Sequence, residues 1–259
     1  MAVSDYDSFA DIYAVWTETA ASTPANLAFY LDRYARTDGP IVELGVGDGR
    51  IVVPAASAGR NVTGVDLSPR MLDLCRDRAR HAGVLDRLTL IQADFRTFVL
   101  AEPAALITLP YHSLGHLQTL DDKRDACRHV WSQLRPGGQF IVDDFFMTSA
   151  LIAQMRRVQL RAEYRSASGA DTLLWVTSLV DEVAQSIRVV TWEDTLDAAG
   201  AQMRRQYRRL SLSWLTPVQA REMLVDTGFV IDACDGDFAG TPFSTESASE
   251  QVWVARRPE

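Results

Sequence analysis

The chain has few cysteines, no surplus of positive charge and no long apolar run. Its 259 residues include three cysteines, Cys75, Cys127 and Cys234, whose spacing matches neither a metal-binding motif nor a disulfide framework. That usage is typical of a reduced compartment, so we expect a cytoplasmic protein without a bound metal. The first residues lack the apolar segment of a secretion signal, and no segment reaches the ~20 apolar residues that a membrane span needs.

The formal net charge of −8 argues against nucleic acid as a partner. Proteins that bind long nucleic acids present a basic face to the phosphates, whereas this chain has 26 basic against 34 acidic side chains. Apolar residues make up 47% of the sequence, which is enough for a sizeable core in one large α/β domain or in a domain with an insertion. We therefore expect a folded protein without a nucleic-acid or membrane partner.

The rest of the sequence is organised around residues 41–50, IVELGVGDGR. A short apolar strand leads into three glycines, Gly45, Gly47 and Gly49, and an apolar helical run follows. Glycines at such a turn accept positive φ and let a ligand lie against the backbone, where N–H groups at the helix start face it. A dinucleotide fingerprint requires glycine where this chain has Arg50, so the pattern departs from that class. A turn without any ligand is the alternative for this stretch taken alone.

The second and third predicted strands are each followed by an acid, Asp66 and Asp94. Asp66 is placed to accept hydrogen bonds from both hydroxyls of a ribose, with Leu67 beside it to pack on an adenine face. Asp94 is placed to accept from an adenine amino group, and Phe95 adds apolar contact. A strand-end acid that only caps a turn is the alternative for each.

Taken in order, these motifs resemble the class I S-adenosylmethionine (SAM)-dependent methyltransferases from residue 41 to about 144. The Pro-Gly-Gly turn at 136–138 is a further hallmark of that family. The resemblance implies SAM as cofactor and an α/β fold with a doubly wound, seven-stranded, mostly parallel sheet. Its implied cofactor contacts are the three glycines and Tyr13, Glu43, Asp66, Leu67, Asp94, Phe95 and Leu109. A carboxylate such as Glu43 is tolerable there because the amino and sulfonium groups of SAM are cationic.

The pattern changes near residue 150, where a helix at 149–155 leads into strand-like segments of an antiparallel sheet. Three such segments are predicted, at 172–180, 186–192 and 202–212, with Trp175 and Trp192 as apolar anchors. This part resembles the lid or dimerisation insert that many small-molecule methyltransferases carry after the fifth strand. The predicted domains are an N-terminal helical cap (1–38), a SAM-binding domain (39–148 and 215–259) and the antiparallel insert (149–214).

The segment after the fourth strand, Tyr111 to His116, abuts the methyl-transfer position in the family that the chain resembles. An oxygen or ammonium acceptor must lose a proton, and histidine exchanges protons near neutral pH. We therefore take His116 as the favoured catalytic base and His112 as the second candidate, with Tyr111 and Asp144 as positioning groups. A structural histidine is the alternative for each.

The expected function is methyl transfer from SAM to N or O of a small molecule, in the tailoring of a secondary metabolite. An RNA or protein methyltransferase is the first alternative, disfavoured by the charge and by the absence of an appended binding domain. A catalytically silent SAM- or NAD-binding scaffold is the second. The basic cluster at 203–209 is either a solvated strand or a contact for an acidic substrate. The sequence names neither the acceptor nor the need for a base, and it leaves a homodimer open.

Overall fold

A computed structural model describes residues 7, 9–19, 23–166 and 169–259. The chain divides into two compact units. One comprises Met1–Thr23 with Met147–Ser213, and the other comprises Pro24–Phe146 with Trp214–Glu259. The segment predicted as one N-terminal cap, 1–38, therefore divides between the units near residue 23, and the predicted helix start at residue 5 lies outside the described residues.

Two helices precede the first strand in the described part of the chain. The α-helices of the described residues are α1 (Tyr13–Glu18), α2 (Thr23–Arg36), α3 (Val52–Ser57), α4 (Pro69–His81), α5 (Leu120–Gln133), α6 (Ser149–Met155) and α7 (Pro217–Thr227). The strands are β1 (Ile41–Leu44), β2 (Val62–Asp66), β3 (Leu88–Gln92), β4 (Ala104–Leu109), β5 (Leu134–Phe145), β6 (Gln159–Arg165), β7 (Asp171–Asp181), β8 (Ser186–Leu196), β9 (Gln202–Ser213), β10 (Val230–Asp235) and β11 (Glu250–Arg256).

The larger unit holds a seven-stranded sheet in the order β3-β2-β1-β4-β5-β11-β10. The five strands from β3 to β5 are parallel, whereas β11 pairs antiparallel with both β5 and β10. Every residue of β1 and β4 is buried. Ile41 and Leu106 pack in one core cluster, and Val42 and Ile107 pack in another, because successive side chains point to opposite faces. The predicted fold class is confirmed.

Local sequence signals fix several helix ends in this unit. The hydroxyl of Ser68 accepts the backbone N–H of Met71 at the start of α4, which has proline at its first position. Helix α7 begins with a capping box between Thr216 and Gln219 and ends at Gly228, whose φ is +103°. The Ser68 cap starts α4 directly after β2, so the carboxyl end of β2 and the start of α4 lie at the same edge of the sheet.

The smaller unit holds a four-stranded antiparallel sheet in the order β6-β7-β8-β9. The sequence predicts three of these strands and misses β6, whose register with β7 shifts between Leu160 and Ala162. Trp175 and Trp192 pair across β7 and β8 with ring centroids 6.2 Å apart and planes 13° apart. The interior of the sheet is its opposite face, since Leu174 and Ile187 are fully buried there and both tryptophans are only half-buried. The tryptophans are therefore not the apolar anchors that the sequence predicts.

Neither a membrane span nor a metal-ligand cluster occurs in the part of the chain that the structure describes. No helix there is long and apolar enough to cross a membrane. No three His, Cys, Asp or Glu side chains of the described residues are grouped to hold a metal ion.

Candidate functional site

The three glycines after β1 form a left-handed turn at the carboxyl edge of the parallel strands. Gly45, Gly47 and Gly49 have φ values of +67°, +55° and +83°. A Cβ on Gly45 would lie 2.9 Å from the Ser113 hydroxyl oxygen, and one on Gly49 would lie 2.7 Å from the Cys75 sulfur. Glycine is required at both positions because of the turn and because neighbouring side chains approach the backbone closely.

Asp66 ends β2 and ties the glycine turn to the next loop. Its carboxylate accepts the backbone N–H of Gly47 at 2.8 Å and that of Ser68 at 2.9 Å. The side chain is buried. The predicted ribose contact stays a prediction, with the added finding that Asp66 holds the loop itself. Leu67, predicted to pack on adenine, is 37% exposed beside it.

The predicted adenine contacts after β3 are partly committed to other partners. Asp94 accepts from the Arg96 guanidinium through both carboxylate oxygens, at 3.0 and 2.8 Å. The hydrogen bonds from Arg96 lower the pKa of Asp94 in spite of its burial. Arg96 also pairs with Asp122. An adenine amino group would therefore have to share the Asp94 carboxylate with a guanidinium.

Two predicted apolar contacts differ in how accessible they are. Phe95 is half-buried and its ring lies 3.4 Å from the position of a Cβ on Gly45, so it stands at the glycine turn. Leu109 at the end of β4 is 1% exposed and packs in the core. A cofactor contact at Leu109 would therefore involve its backbone, and the predicted contact stays a prediction.

Glu43 lies inside the sheet rather than at its open edge. It is buried, and the hydroxyl of Tyr34 from α2 donates to it at 2.8 Å. Burial raises the pKa of Glu43 to about 8, although Tyr34 and Arg50 oppose the rise. The expected carboxylate facing a cation is thus a mostly neutral carboxyl group at pH 7. Tyr13, the other predicted contact at the methionine end, is a buried residue of the smaller unit, and its role stays a prediction.

Arg50 is a candidate binding residue that the sequence did not predict. In the sequence it stands out only because a dinucleotide fingerprint has glycine at that position. Its guanidinium carbon lies 4.8 Å from the centroid of the Tyr111 ring, and its Nη2 donates to the Asn26 side-chain oxygen at 2.7 Å. Its Nη1 is buried without a hydrogen-bond partner among the described residues. A buried, unpaired guanidinium N–H is costly unless a ligand accepts from it. An arginine directly after a glycine turn is the sequence signal that points to Arg50 as a binding residue.

The loop after β4 brings Tyr111 and His112 to the same edge, both with left-handed backbone at φ +61° and +57°. His112 Nε2 lies 2.8 Å from Glu250, and its ring stacks on Phe145 at 3.8 Å. Burial lowers the pKa of His112, but Glu250 and the nearby Asp143 outweigh it and raise the pKa to about 9. An imidazole that is protonated at neutral pH accepts no further proton, so this environment disfavours His112 as a base, and its catalytic role stays a prediction.

The pKa of the favoured base, His116, is shifted in the opposite direction. The residue ends a 3₁₀ turn, Ser113–His116, near the buried Lys123. Burial and the positive charge of Lys123 lower the pKa of His116 to about 4. Its imidazole is neutral at pH 7 but weakly basic, whereas an efficient base has a pKa near the working pH. Its catalytic role stays a prediction that this environment disfavours.

Asp144, predicted as a positioning group, connects the end of β5 to the segment that precedes α7. Its carboxylate accepts the backbone N–H of Leu215 at 2.9 Å and that of Phe145 at 2.8 Å. Burial raises its pKa to about 6, against the opposing charge of Lys123. The carboxylate faces the backbone, so we assign it a structural role.

A polar cavity of about 650 Å³ lies elsewhere on the same unit. Its walls include Pro40, Arg60, Asp86, Arg87 and Glu102, at the amino ends of the parallel strands. Ligands of doubly wound sheets bind at the carboxyl ends, where the glycine turn and Arg50 lie. The cavity is therefore separate from the candidate site.

Comparison with known proteins gives matches to methyltransferases. Residues 41–138 match the family described as "Methyltransferase domain". The chain is 26% identical over 244 residues to the cypemycin N-terminal methyltransferase of a Streptomyces species, covering 91% of each chain.

Solved structures are similar over most of the chain. The CcbJ methyltransferase of Streptomyces caelestis has a TM-score of 0.81 at 22% identity and covers 99% of both chains. SAM-bound CalS10 of Micromonospora echinaspora, an amino pentose methyltransferase, has a TM-score of 0.67 at 22% identity and covers 89% of both. Together with the motifs at the carboxyl edge, these matches support the predicted class: residues 41–138 match a methyltransferase domain, and the chain has the fold of the class I SAM-dependent methyltransferases.

Proposed function

We propose that this protein methylates an amine of a small molecule or short peptide in secondary metabolism. The observation that carries the proposal is the match to a cypemycin N-terminal methyltransferase over nine-tenths of both chains, insert included. The whole-length structural similarity to an amino pentose methyltransferase supports the same acceptor chemistry. The two descriptions both name a group with an amine, an N-terminus in one and an amino pentose in the other.

The carboxyl edge of the larger unit fits SAM. When bound, SAM supplies an electrophilic methyl group on a sulfonium that leaves readily. The left-handed turn at Gly45, Gly47 and Gly49 leaves the backbone at that edge without side chains. Arg50 Nη1, which is buried without a partner among the described residues, would donate to the carboxylate of the methionine moiety, which no neutral side chain would bind as strongly.

The state of the two histidines favours an amine over a hydroxyl acceptor. A hydroxyl must lose its proton during attack, whereas an amine attacks with its lone pair once it is neutral. An α-amino group has a pKa of about 8, so roughly a tenth is neutral at pH 7 without any base. Because His112 is protonated and His116 is weakly basic, this site suits an acceptor that needs no strong base. Its residues then act chiefly by positioning the acceptor.

The test begins with calorimetric titration of the full chain with SAM, S-adenosylhomocysteine (SAH) and NAD. Transfer from SAM is then measured by mass spectrometry on acceptor pairs that differ in one atom: a short peptide with a free N-terminal amine and its N-terminal hydroxy analogue, and an amino sugar and its hydroxy counterpart. We expect SAM and SAH to bind, NAD not to bind, and a methyl group to be added to an amine.

Each outcome bears on a different part of the proposal. Transfer to the hydroxy analogues alone would contradict amine specificity. Binding of SAM with no transfer to either member of any pair would favour a silent scaffold or a larger acceptor. Binding of NAD in place of SAM would contradict the cofactor itself.

A further inference from the structure

One buried carboxylate in the larger unit gathers donors from two other segments. Asp143, near the end of β5, is completely buried. Its Oδ2 accepts the Tyr30 hydroxyl at 2.6 Å and the Tyr111 backbone N–H at 2.9 Å, and its Oδ1 accepts the His112 backbone N–H at 2.9 Å. A carboxylate with donors on both oxygens is fixed in one orientation, and it fixes those donors in turn.

Two of these donors belong to backbone in an unfavourable conformation. Tyr111 and His112 are consecutive non-glycine residues with positive φ, a conformation that side chains with a Cβ disfavour. Such a conformation persists only where surrounding contacts hold it, and the two bonds to Asp143 are such contacts. Asp143 thereby determines where the Tyr111 ring lies.

Two routes lead from Asp143 to Arg50. On the first, the Tyr111 ring packs against the Arg50 guanidinium, whose carbon is 4.8 Å from the ring centroid. On the second, the Asn26 side chain accepts from Arg50 Nη2 at 2.7 Å, and its amide nitrogen reaches Asp143 Oδ2 at 3.5 Å. The Tyr111 ring therefore contacts one face of the guanidinium, and Asn26 contacts its Nη2 edge. Nη1 is left without a partner among the described residues.

We propose that Asp143 is a positioning residue for Arg50, holding its guanidinium in the orientation that leaves Nη1 for the carboxylate of the cofactor's methionine moiety. This inference rests on the proposed binding of SAM. Asp143 acts through Arg50, Asn26 and Tyr111 and does not itself touch the cofactor. Binding between arginine and a carboxylate depends strongly on orientation, so a displaced guanidinium loses affinity.

The test compares two ligands that differ in this carboxylate. SAH carries the aminocarboxylate end, and 5′-methylthioadenosine lacks it. In Asp143→Asn an amide NH₂ replaces one acceptor oxygen. Two donors then face each other, and one backbone N–H loses its acceptor. We expect the dissociation constant for SAH, measured by calorimetry, to rise about tenfold, and that for 5′-methylthioadenosine to stay within about twofold.

A double-mutant cycle separates positioning from a general structural role. Arg50→Gln should weaken SAH binding by at least as much, and Asp143→Asn should add nothing further in the Arg50→Gln background. Asp235→Asn is the matched control, since Asp235 is another buried acid at the end of a strand, β10. It should leave both affinities unchanged.

Equal loss of affinity for the two ligands, or additive effects of Asp143→Asn and Arg50→Gln, would overturn the inference. Failure of the wild-type chain to bind SAH would instead contradict the proposed function. If Asp143→Asn does not fold, Tyr30→Phe provides the second variant, because it removes one donor and leaves the backbone bonds. It should raise the SAH dissociation constant about two- to threefold and spare 5′-methylthioadenosine, and no selective loss there would also overturn the inference.

Discussion

The two sheets of this protein bury their strands differently. In the larger unit every residue of β1 and β4 is buried, because helices cover both faces of a parallel sheet. In the smaller unit β7 has buried and accessible positions, from Leu174, which is fully buried, to Leu179, which is 62% exposed. Strands β1 and β4 therefore have no free face for a ligand. The chemistry of the parallel sheet is confined to the loops at one edge, where the glycine turn, Arg50 and Tyr111 lie.

The largest expected effects come from shortening core side chains in the two sheets. In β4, Leu106→Ala and Ile107→Ala should each lower the free energy of unfolding by ~2–5 kcal/mol, since consecutive residues are both buried. In β7, Leu174→Ala should fall in the same range, but Leu179→Ala should stay within about 0.5 kcal/mol. Chemical denaturation measures all four. A large cost for Leu179→Ala would mean that the accessible face is covered in solution.

The second prediction compares an ion pair that titrates with one that does not. His112 has a folded-state pKa of about 9, above its ordinary 6.5, so its stabilisation is complete below about pH 6.5 and is lost as pH rises through 9. Between those values wild type should lose up to roughly 3 kcal/mol relative to His112→Gln. Glu193 in the smaller unit pairs with Arg208, which stays charged throughout. The difference between wild type and Glu193→Gln should be constant over this range, and denaturation at several pH values tests both.

The third prediction compares two aspartates with similar hydrogen bonds. Asp66 accepts two backbone N–H groups in the buried glycine turn, and Asp197 accepts those of Ala199 and Ala201 in the turn between β8 and β9. Asp66→Ala should cost ~1–3 kcal/mol of stability, because buried donors are left unpaired, and should also weaken SAH binding. Asp197→Ala should cost less than about 1 kcal/mol, because water replaces the carboxylate, and should leave SAH binding unchanged. Thermal unfolding and calorimetry give both quantities, and equal SAH affinities in the two variants would remove Asp66 from the cofactor site.

The smallest expected effect concerns two glycines with the same handedness. Gly45 and Gly200 have φ values of +67° and +79°, but only at Gly45 would a Cβ meet a neighbour, the hydroxyl of Ser113. Gly200→Ala should cost about 1 kcal/mol for the left-handed backbone alone, and Gly45→Ala about 1 kcal/mol more for the clash. Adding Ser113→Gly should recover the extra cost. Without that recovery, crowding at Ser113 would not be the cause.

The sequence was sufficient for most of the fold because the signals involved are local. Strands β1, β2 and β4 are apolar segments of strand length, and the bounds of α7 follow from Thr216, Pro217 and Gly228. Strand β6 was missed although Leu160, Ala162 and Tyr164 alternate there. Its remaining residues are long and polar, and an irregular register with β7 interrupts the pairing.

The candidate site was predictable in location but not in its pairings. The order of strands places the loops after β1, β2 and β4 at one edge, so the location of the site follows from topology. Which partner each carboxylate takes depends on contacts between distant positions. Asp143 meets Tyr111 across 32 residues, and His112 meets Glu250 across 138. Burial and those partners shift the two histidine pKa values in opposite directions, and no local pattern carries that information.

The stacked indoles of β7 and β8 have an optical consequence. Trp175 and Trp192 are nearly parallel at 6.2 Å, close enough for their electronic transitions to couple and give a paired band in the circular dichroism spectrum. Trp131, Trp214 and Trp253 lie in the larger unit, and their emission reports on its core. Trp16, Trp175 and Trp192 of the smaller unit also emit, so fluorescence reports on both units. The coupled band therefore records the melting of the smaller unit by itself, without any label.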